Sequence, residues 1–410
     1  MGKRSNGEGS VFPYKDGWAG YVWVTTPDGK KTRKWAYGKT REETHEKWLK
    51  LHDLASKGPV PTKHPTMAAY LTRWLAEVIE PNREPTTYAG YEPLVRLYLI
   101  PGLGKKRLDK LTVRDVQTWI NTLPTLCTCC DQKKDHRRPE DKRRCCSKGK
   151  CCKDYPSRST IASIRRVLRS ALGNAVREEL TSKNVAGLTV LPNASKTKKA
   201  KSHSVWNVDE ARRFLEHLHE VREPLYAAYV LILLLGLRRG EVLGLTWDCV
   251  DLDGEQLWIS HQLTRVRGRL LHRDTTKTED STASLPLLGL CISALRERQE
   301  IQQEARQDAG TRWKDSDLVV TTKHGTPVEP RNFYRSFERY CERAGVPRIR
   351  VHDTRHTCAS LLAALDVHPR VAMRILRHSQ ISVTMNVYTQ VPSPETRKAL
   401  DRLNSSFEDG

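Results

Sequence analysis

Residues 225–241 read LYAAYVLILLLGLRRGE, and the folding of everything around them turns on how they are read. From Leu225 to Leu237 the chain is apolar except for Gly236. A membrane-spanning helix needs about 20 apolar residues, so this run is too short to span and suits a helix buried in a protein core. Arg238 and Arg239 follow it directly. A guanidinium at the end of a core helix is costly to bury without a partner. Glu241, three residues after Arg238, can meet it on one helical turn. Taken alone, the segment reads as a core helix ended by a surface arginine.

Outward from this run, the composition restricts the function classes. The chain has 410 residues, with 70 Lys and Arg against 48 Asp and Glu, for a net charge of +22. Apolar residues are 38% and charged residues 29%, with 10 Trp and 13 Tyr, which is polar but not the composition of a disordered chain. The length predicts two to four domains. The charge calls for a polyanionic partner: nucleic acid first, an anionic membrane surface as the alternative. The membrane reading is weakened by the lack of a spanning run. No apolar segment follows the basic start Met1-Gly2-Lys3-Arg4, and Asn6 stands where a myristoylation signal has Ser or Thr. The expectation is a soluble, cytoplasmic protein with no membrane partner. Eleven cysteines, seven of them between 127 and 152, do not resemble a secreted disulfide framework in a chain of this length.

Patterning divides the chain into a multidomain α+β protein. Residues 1–58 read as a three-stranded β-sheet plus a helix. Asp16-Gly17 and Asp28-Gly29 are hairpin signals, and Thr40 to Glu43 is a capping box. On the third strand Arg33, Trp35 and Tyr37 alternate onto one face, as a groove-binding strand would present them; the plainer reading has the two aromatics covering the helix. Residues 64–191 are all-helical, interrupted at 124–156 by the cysteine-rich stretch. The long helix at 158–179 buries Ile161, Ile164, Leu168, Leu172 and Val176 and turns Arg165 and Arg169 outward, as candidate DNA contacts. Residues 192–203 form a basic linker in which Lys198, Lys199 and Lys201 can lie against phosphates. Residues 204–392 are mixed and mainly α. Residues 393–410 hold a short amphipathic tail helix, which packs in cis or docks on a neighbouring protomer; docking in trans is the favoured expectation.

Three more segments belong with Arg238. Lys277 lies in a polar loop before a short strand; His352 and Arg355 are three apart at a helix start, with Asp353 or Thr354 as its cap; and Tyr388 follows His378 by ten residues, on a helix that Ser379 or Ser382 can cap. Each has a plain structural reading by itself. In the order Arg238, Lys277, His352, Arg355, His378, Tyr388 they resemble the signature of the tyrosine recombinases, the phage integrase family. The likeness includes the apolar helix before Gly236-Leu237-Arg238, Lys277-Thr278 with Ser281 before Leu285-Pro286-Leu287, His352-Asp353 with Arg355-His356-Thr357, and Leu376 with His378-Ser379. It is dense over 204–392. Residues 1–58 look like the arm-type DNA-binding domain of such integrases, and 64–191 like their core-binding domain. Many relatives have Gly where Arg377 stands, and Arg377 is a candidate extra phosphate contact.

The resemblance implies site-specific breakage and rejoining of DNA through a covalent 3′-phosphotyrosyl intermediate, integrating and excising a mobile element. Phosphodiesters repel nucleophiles, and two Arg forks can clamp the oxygens on which transition-state charge collects. Arg238 and Arg355 take that role. Tyr388 is the nucleophile, its phenolate favoured by the guanidinium pair; His352 accepts its proton, His378 hydrogen-bonds a phosphate oxygen, and Lys277 protonates the departing 5′-oxygen. Glu241 supports Arg238. No ATP, metal or other cofactor is required for this chemistry. The implied partners are duplex DNA at core-type and arm-type attachment sites and three further copies of the chain in a homotetramer on DNA. A host bending factor and an excision directionality factor are candidate accessory proteins.

The insertion at 124–156 carries ten basic and five acidic residues and almost no apolar ones, so it cannot build a core of its own. Cys127 and Cys130 have a zinc-ligand spacing, and Cys146 with Cys151 is compatible with it, so these four are the candidate ligands of one structural zinc, with His136 as an extra candidate. The alternative is a flexible basic loop with reduced thiols. Cysteine-rich insertions at this place resemble those of integrases from actinobacterial phages and integrative elements. Two rival functions remain at this level. A type IB topoisomerase shares the tyrosine and arginine chemistry, although the sheet-plus-helix N-terminus argues against it. A zinc-containing DNA-binding regulator explains charge and cysteines but leaves the six residues as coincidence.

Overall fold

The computed structural model describes residues 11–26, 29–58, 65–192, 204–274 and 283–388. Two units divide between Thr197 and Lys198.

In the first unit, β1 (Val11–Tyr14), β2 (Gly17–Thr25) and β3 (Lys31–Gly38) form an antiparallel sheet in that order, and α1 (Arg41–Ser56) packs on it. The first hairpin turns one residue earlier than its Asp-Gly signal predicts. Lys15 takes the left-handed φ of 51°, and Gly17 already pairs with Tyr14 inside the ladder. Gly17 is needed there for a different reason: a Cβ would lie 2.5 Å from the Gly38 carbonyl oxygen. Thr40 caps α1 as expected, accepting from Glu43 N at 3.2 Å while Glu43 accepts from Lys39 N at 2.8 Å. Val22, Val24, Ala36, Trp48 and Leu51 make the core of this layer, and the Trp48 indole donates to the Tyr21 carbonyl at 2.9 Å.

The helical segment comprises α2 (Met67–Trp74), α3 (Glu80–Asn82), α4 (Pro85–Leu94), α5 (Ile100–Leu103), α6 (Val113–Thr122), α7 (Thr128–Asp131) and α8 (Arg158–Arg177). Two π-helical turns, Leu75–Ile79 and Val95–Leu99, were not legible as such. Each stops two residues before a proline, Pro81 or Pro101. Proline has no N–H to give and its ring crowds the carbonyl four residues back, so the ladder widens to i→i−5, with Glu80 N on Leu75 O and Ile100 N on Val95 O. The core runs through Tyr70, Trp74, Leu99, Val116, Ile120, Ile164, Leu168 and Leu172. The Tyr70 hydroxyl, buried within it, donates to the Ala171 carbonyl at 2.7 Å.

The second unit holds α9 (Val208–Glu220), α10 (Tyr226–Leu234), α11 (Arg239–Leu243), β4 (Val250–Asp251), β5 (Gln256–Ile259), β6 (His261–Val266), β7 (Arg269–Asp274), β8 (Ala283–Pro286), α12 (Gly289–Ala309), α13 (Pro330–Arg343), α14 (Asp353–Ala364), α15 (Pro369–Leu376) and α16 (Ile381–Tyr388). The apolar run at 225–237 is the buried helix that its sequence predicts. Tyr226 to Leu233 are all buried, and α10 packs against α9, α12 and α14. Each Leu or Ile so buried contributes about 1.5–3 kcal/mol. The strands of this unit form two small sheets: β8 joins β5 in the β4-β5-β8 sheet, and β6 pairs with β7. Lys277, the linker lysines Lys198, Lys199 and Lys201, and the tail helix at 393–410 lie outside the described residues, as does Asp28 of the second hairpin signal. Among the described residues no helix is long and apolar enough to cross a membrane.

Candidate active site

Gly236 stops α10 by adopting φ 59°, where a Cβ would meet Leu376 Cδ2 at 2.5 Å. That turn sends Arg238 to the position before α11. There Glu241 reaches back to Arg238 N at 2.8 Å and pairs with its Nη1 at 2.7 Å. Arg238 Nη2 donates to the Arg377 carbonyl at 3.3 Å. The expected contact between Glu241 and Arg238 is thus present, and a second one is added: Arg377 Nη2 donates to Glu241 Oε2 at 2.5 Å. One buried carboxylate therefore holds two guanidiniums. Burial pushes Glu241 up, but Arg377 and then Arg238 outweigh it, and the carboxyl sits below its ordinary value.

Arg355 lies on the first turns of α14 and is almost wholly buried. Its Nη1 donates to the Gly236 carbonyl at 2.5 Å, so the residue that ends α10 also orients the second arginine. Burial pushes Arg355 down to about 9, with Arg238 and Arg377 adding to the effect. Arg355 Nη2 and Arg377 Nη1 are buried donors with no hydrogen-bond partner among the described residues. Buried orphan donors on a guanidinium are rare, because each forfeits the water it had.

The two histidines flank this cluster. Asp353 accepts from the Arg350 backbone N at 3.1 Å and from its guanidinium at 2.8 Å, and Thr354 Oγ1 donates to the Val351 carbonyl at 2.6 Å; these bonds set the start of α14 and hold His352 at its cap position. Burial, then Arg355, lowers the His352 pKa. His378 Nδ1 bonds Thr384 Oγ1 at 2.9 Å, which leaves Nε2 for an external oxygen. Burial, then Arg355 and Arg238, pushes His378 down to about 4. Both rings are neutral at pH 7.

Tyr388 departs from expectation. Its hydroxyl donates to the Val367 carbonyl at 2.7 Å, and burial, with the Cys358 thiol, raises its pKa. The guanidinium pair does not favour phenolate in this conformation. Arg377 differs too. It caps α15 with φ 51° and ψ 51°, the left-handed geometry that a glycine would adopt without strain, and its guanidinium turns inward to Glu241 rather than to solvent. The structural role of Arg377 escaped sequence reading because its partner stands 136 residues away; the one legible signal was its replacement of the glycine common in relatives.

The candidate DNA contacts divide. Arg33, Trp35 and Tyr37 are exposed on the sheet face away from α1, beside Tyr21 and Trp23, so the aromatics do not cover the helix. Arg33 lies 4.8 Å from the ring centroids of both Tyr21 and Trp23. Arg169 is exposed. Arg165 is half-buried and tied to its own chain. It donates to Thr189 Oγ1 at 3.0 Å, Thr189 O at 2.7 Å and Gly187 O at 3.2 Å. The candidate zinc ligands Cys127, Cys130 and Cys151 come together, but Cys146 falls in a second group with Cys129, Cys145 and Cys152, and His136 is in neither. Sequence spacing could not show this, because Cys129 and Cys130, and again Cys151 and Cys152, diverge to different groups.

The model of the phage integrase family matches residues 205–394, and that of the phage integrase N-terminal SAM-like domain matches 66–123. A tyrosine recombinase XerC-like protein of Caldanaerobacter subterraneus is 26% identical over 395 residues, covering 93% of both chains. An integrase of Streptomyces ambofaciens is 25% identical, covering 95% of this chain and 94% of that one. The solved structure of the Tn1549 transposon integrase in complex with transposon right end DNA superposes with a TM-score of 0.60 at 19% identity, over 83% of this chain and 99% of that one. The architecture, the paired arginines and these matches together place the chain in the phage integrase family, the tyrosine recombinases, which cleave and rejoin DNA through a tyrosine nucleophile and need no cofactor for that chemistry.

Proposed function

We propose that this chain is the integrase of a mobile element and that the cluster around Arg355 holds the scissile phosphate. The observation that carries the reading is the pair of buried, unpartnered donors, Arg355 Nη2 and Arg377 Nη1, beside Arg238. Arg238 and Arg355 bind the non-bridging oxygens and stabilise the charge that grows on them. His378 adds a hydrogen bond through Nε2. Tyr388 leaves the Val367 carbonyl when DNA binds. Its oxygen attacks phosphorus while the neutral His352 takes the proton, and the P–O5′ bond breaks. Lys277 gives its proton to the 5′-oxygen. The bond energy is kept in the phosphotyrosyl ester, so the reverse attack by a 5′-hydroxyl of another strand rejoins DNA.

The β1-β2-β3 face with Arg33, Trp35 and Tyr37 reads an arm-type site, while the helical segment with Arg169 and the catalytic domain hold the core site. Lys198, Lys199 and Lys201 follow the backbone between them. Four chains assemble on two sites, aided by a bending factor from the host and an excision directionality factor. An apolar groove of about 910 Å³ in the second unit, lined by Leu215, Tyr226, Leu233, Leu290 and Leu361, accepts the tail at 393–403 from a neighbour.

The test is a nicked suicide duplex carrying the attachment core, mixed with wild type and with Tyr388→Phe without metal or ATP. An SDS-resistant adduct with wild type alone supports the reading. Absence of the adduct from folded wild type on a verified site, with host extract added, sinks it. A two-site joining assay then separates recombination from relaxation. Deleting 393–410 is expected to abolish cooperative assembly in a gel-shift series while the monomer stays folded.

A further inference from the structure

The seven cysteines of the insertion converge although the chain offers them no core to converge on. Within the stretch the buried apolar cluster consists of Cys127, Cys129 and Cys145 themselves, with Cys146 packed against it. The sulfurs of Cys129, Cys145, Cys146 and Cys152 lie within 4.8 Å of one another, and so do those of Cys127, Cys130 and Cys151. The individual contacts are 3.7 Å for Cys129–Cys145, 3.7 Å for Cys130–Cys151, 3.8 Å for Cys127–Cys152 and 4.0 Å for Cys146–Cys152. A tetrahedral tetrathiolate zinc with Zn–S of about 2.3 Å has sulfurs about 3.8 Å apart. The three within a group, Cys129–Cys145, Cys130–Cys151 and Cys146–Cys152, are close to tetrahedron edges, whereas Cys127–Cys152 and the shorter Cys130–Cys146 contact of 2.9 Å run between the groups.

The first group is a complete set of four. The second has three and needs a fourth. Two sulfurs of the first group touch it: Cys146, 2.9 Å from Cys130, and Cys152, 3.8 Å from Cys127. Seven thiolates serve two four-coordinate ions when one of them is shared. We propose that residues 127–152 bind two zinc ions in one seven-cysteine cluster, with a single bridging thiolate at the Cys146/Cys152 seam. Each thiol loses its proton to solvent as the ions enter.

The surrounding chain is built to hold these sulfurs. The buried Asp135 carboxylate accepts from Ser147 Oγ at 2.5 Å, from Cys145 N at 2.9 Å, from Ser147 N at 3.1 Å and from Arg144 N at 3.2 Å, which fixes the Cys145-Cys146 turn. Thr128 N donates to the Asp154 carbonyl at 2.9 Å and Thr128 Oγ1 to its carboxylate at 2.6 Å, which ties the first cysteine segment to the last. Lys153 N donates to Cys151 Sγ at 3.4 Å, a bond that favours thiolate. The ten lysines and arginines of the stretch offset the excess negative charge of seven thiolates over two divalent ions. This inference stands apart from the recombinase reading and neither depends on the other.

The experiment is metal analysis of the full chain, purified reduced and without chelator, with native mass spectrometry in parallel. The expected result is two zinc ions per chain. Cobalt(II) loaded in their place is expected to give tetrathiolate bands that grow to two equivalents, and its paramagnetic resonance is expected to weaken as the second equivalent enters, since a shared thiolate couples the two ions. Cys145→Ser is expected to leave one zinc. One zinc in wild type overturns the shared-corner cluster. No zinc, or a mass 2 Da lower for each oxidised pair with no metal, overturns the site altogether, and wild-type stoichiometry decides this even where the variant does not fold.

Discussion

Arg377 Nη2 donates to Glu241 Oε2 at 2.5 Å, joining the C-terminal cap of α15 to the first turn of α11. The same carboxylate carries Arg238 on its other oxygen, at 2.7 Å. Removing one member of a buried ion pair leaves an uncompensated charge, which costs about 3–5 kcal/mol. Glu241→Ala is therefore expected to lose about that much in a urea unfolding series, and to lose adduct formation with it. Arg377→Gly is expected to cost no more than about 1 kcal/mol, because glycine takes the left-handed cap without strain, Glu241 keeps Arg238, and Arg355 loses a repelling neighbour. Equal losses in the two variants would show that the pair does not divide this way.

Arg355 spends Nη1 on the Gly236 carbonyl and keeps Nη2 in reserve. Lysine cannot do both, having one point charge instead of a fork. Arg355→Lys is expected to lower the rate of covalent adduct formation by about 10²–10³, the usual effect of removing one donor from a developing oxyanion. Single-turnover cleavage of the suicide duplex measures it. Adduct formation at the wild-type rate would remove Arg355 from the phosphate.

His378 and His352 both have lowered pKa values in the folded chain, His378 down to about 4 from the ordinary 6.5. The folded state thus binds fewer protons than the unfolded state between those values. Stability is expected to be fully present above pH 6.5, to fall as the pH drops, and to lose all that His378 contributes by about pH 4. Melting curves from pH 7.5 to 4.5 measure this, and His378→Gln is expected to flatten part of the slope. A bound phosphate offsets the arginines that depress His378. DNA binding near pH 5.5 is therefore expected to take up protons, measured calorimetrically in buffers of different ionisation enthalpy; no uptake would separate His378 from the phosphate.

Trp35 and Trp48 sit on opposite faces of one small layer. Trp48 is buried against the sheet and donates to Tyr21 O, whereas Trp35 is 41% exposed. Trp48→Ala is expected to cost about 3–5 kcal/mol in stability. Trp35→Ala is expected to change stability by about 0.5 kcal/mol or less and to weaken binding to arm-type duplex. A fluorescence anisotropy titration over a range of salt reads the second effect, and unchanged affinity would exclude this face.

Much of the site was legible because its elements are local. The apolar run that becomes α10, the glycine that ends it, the Arg238–Glu241 spacing, and His352 with Arg355 on one helix start depend on residues within a few positions of one another, where periodicity and capping chemistry operate. The sheet-plus-helix layer was legible for the same reason, although its first turn moved by one residue to bring Gly17 beside the Gly38 carbonyl. Pairing over distance was not. Nothing near Ala283–Pro286 says that β5, rather than the nearer β6, will be its neighbour.

By its own pattern, then, the chain determines a buried helix ended by a charged turn, a three-stranded layer with a capped helix, and the order of six chemically distinctive residues. Only the tertiary structure decides that Arg377 shares Glu241 with Arg238, that Arg165 serves the carbonyls at 187 and 189, that Tyr388 rests on Val367, and that Cys129 and Cys130, like Cys151 and Cys152, part into two groups. The physical reason is common to all four. A donor, an acceptor or a thiol carries no record in its neighbours of which distant partner it will meet. That choice is made when packing removes water and every buried polar group must find whatever lies within about 3 Å.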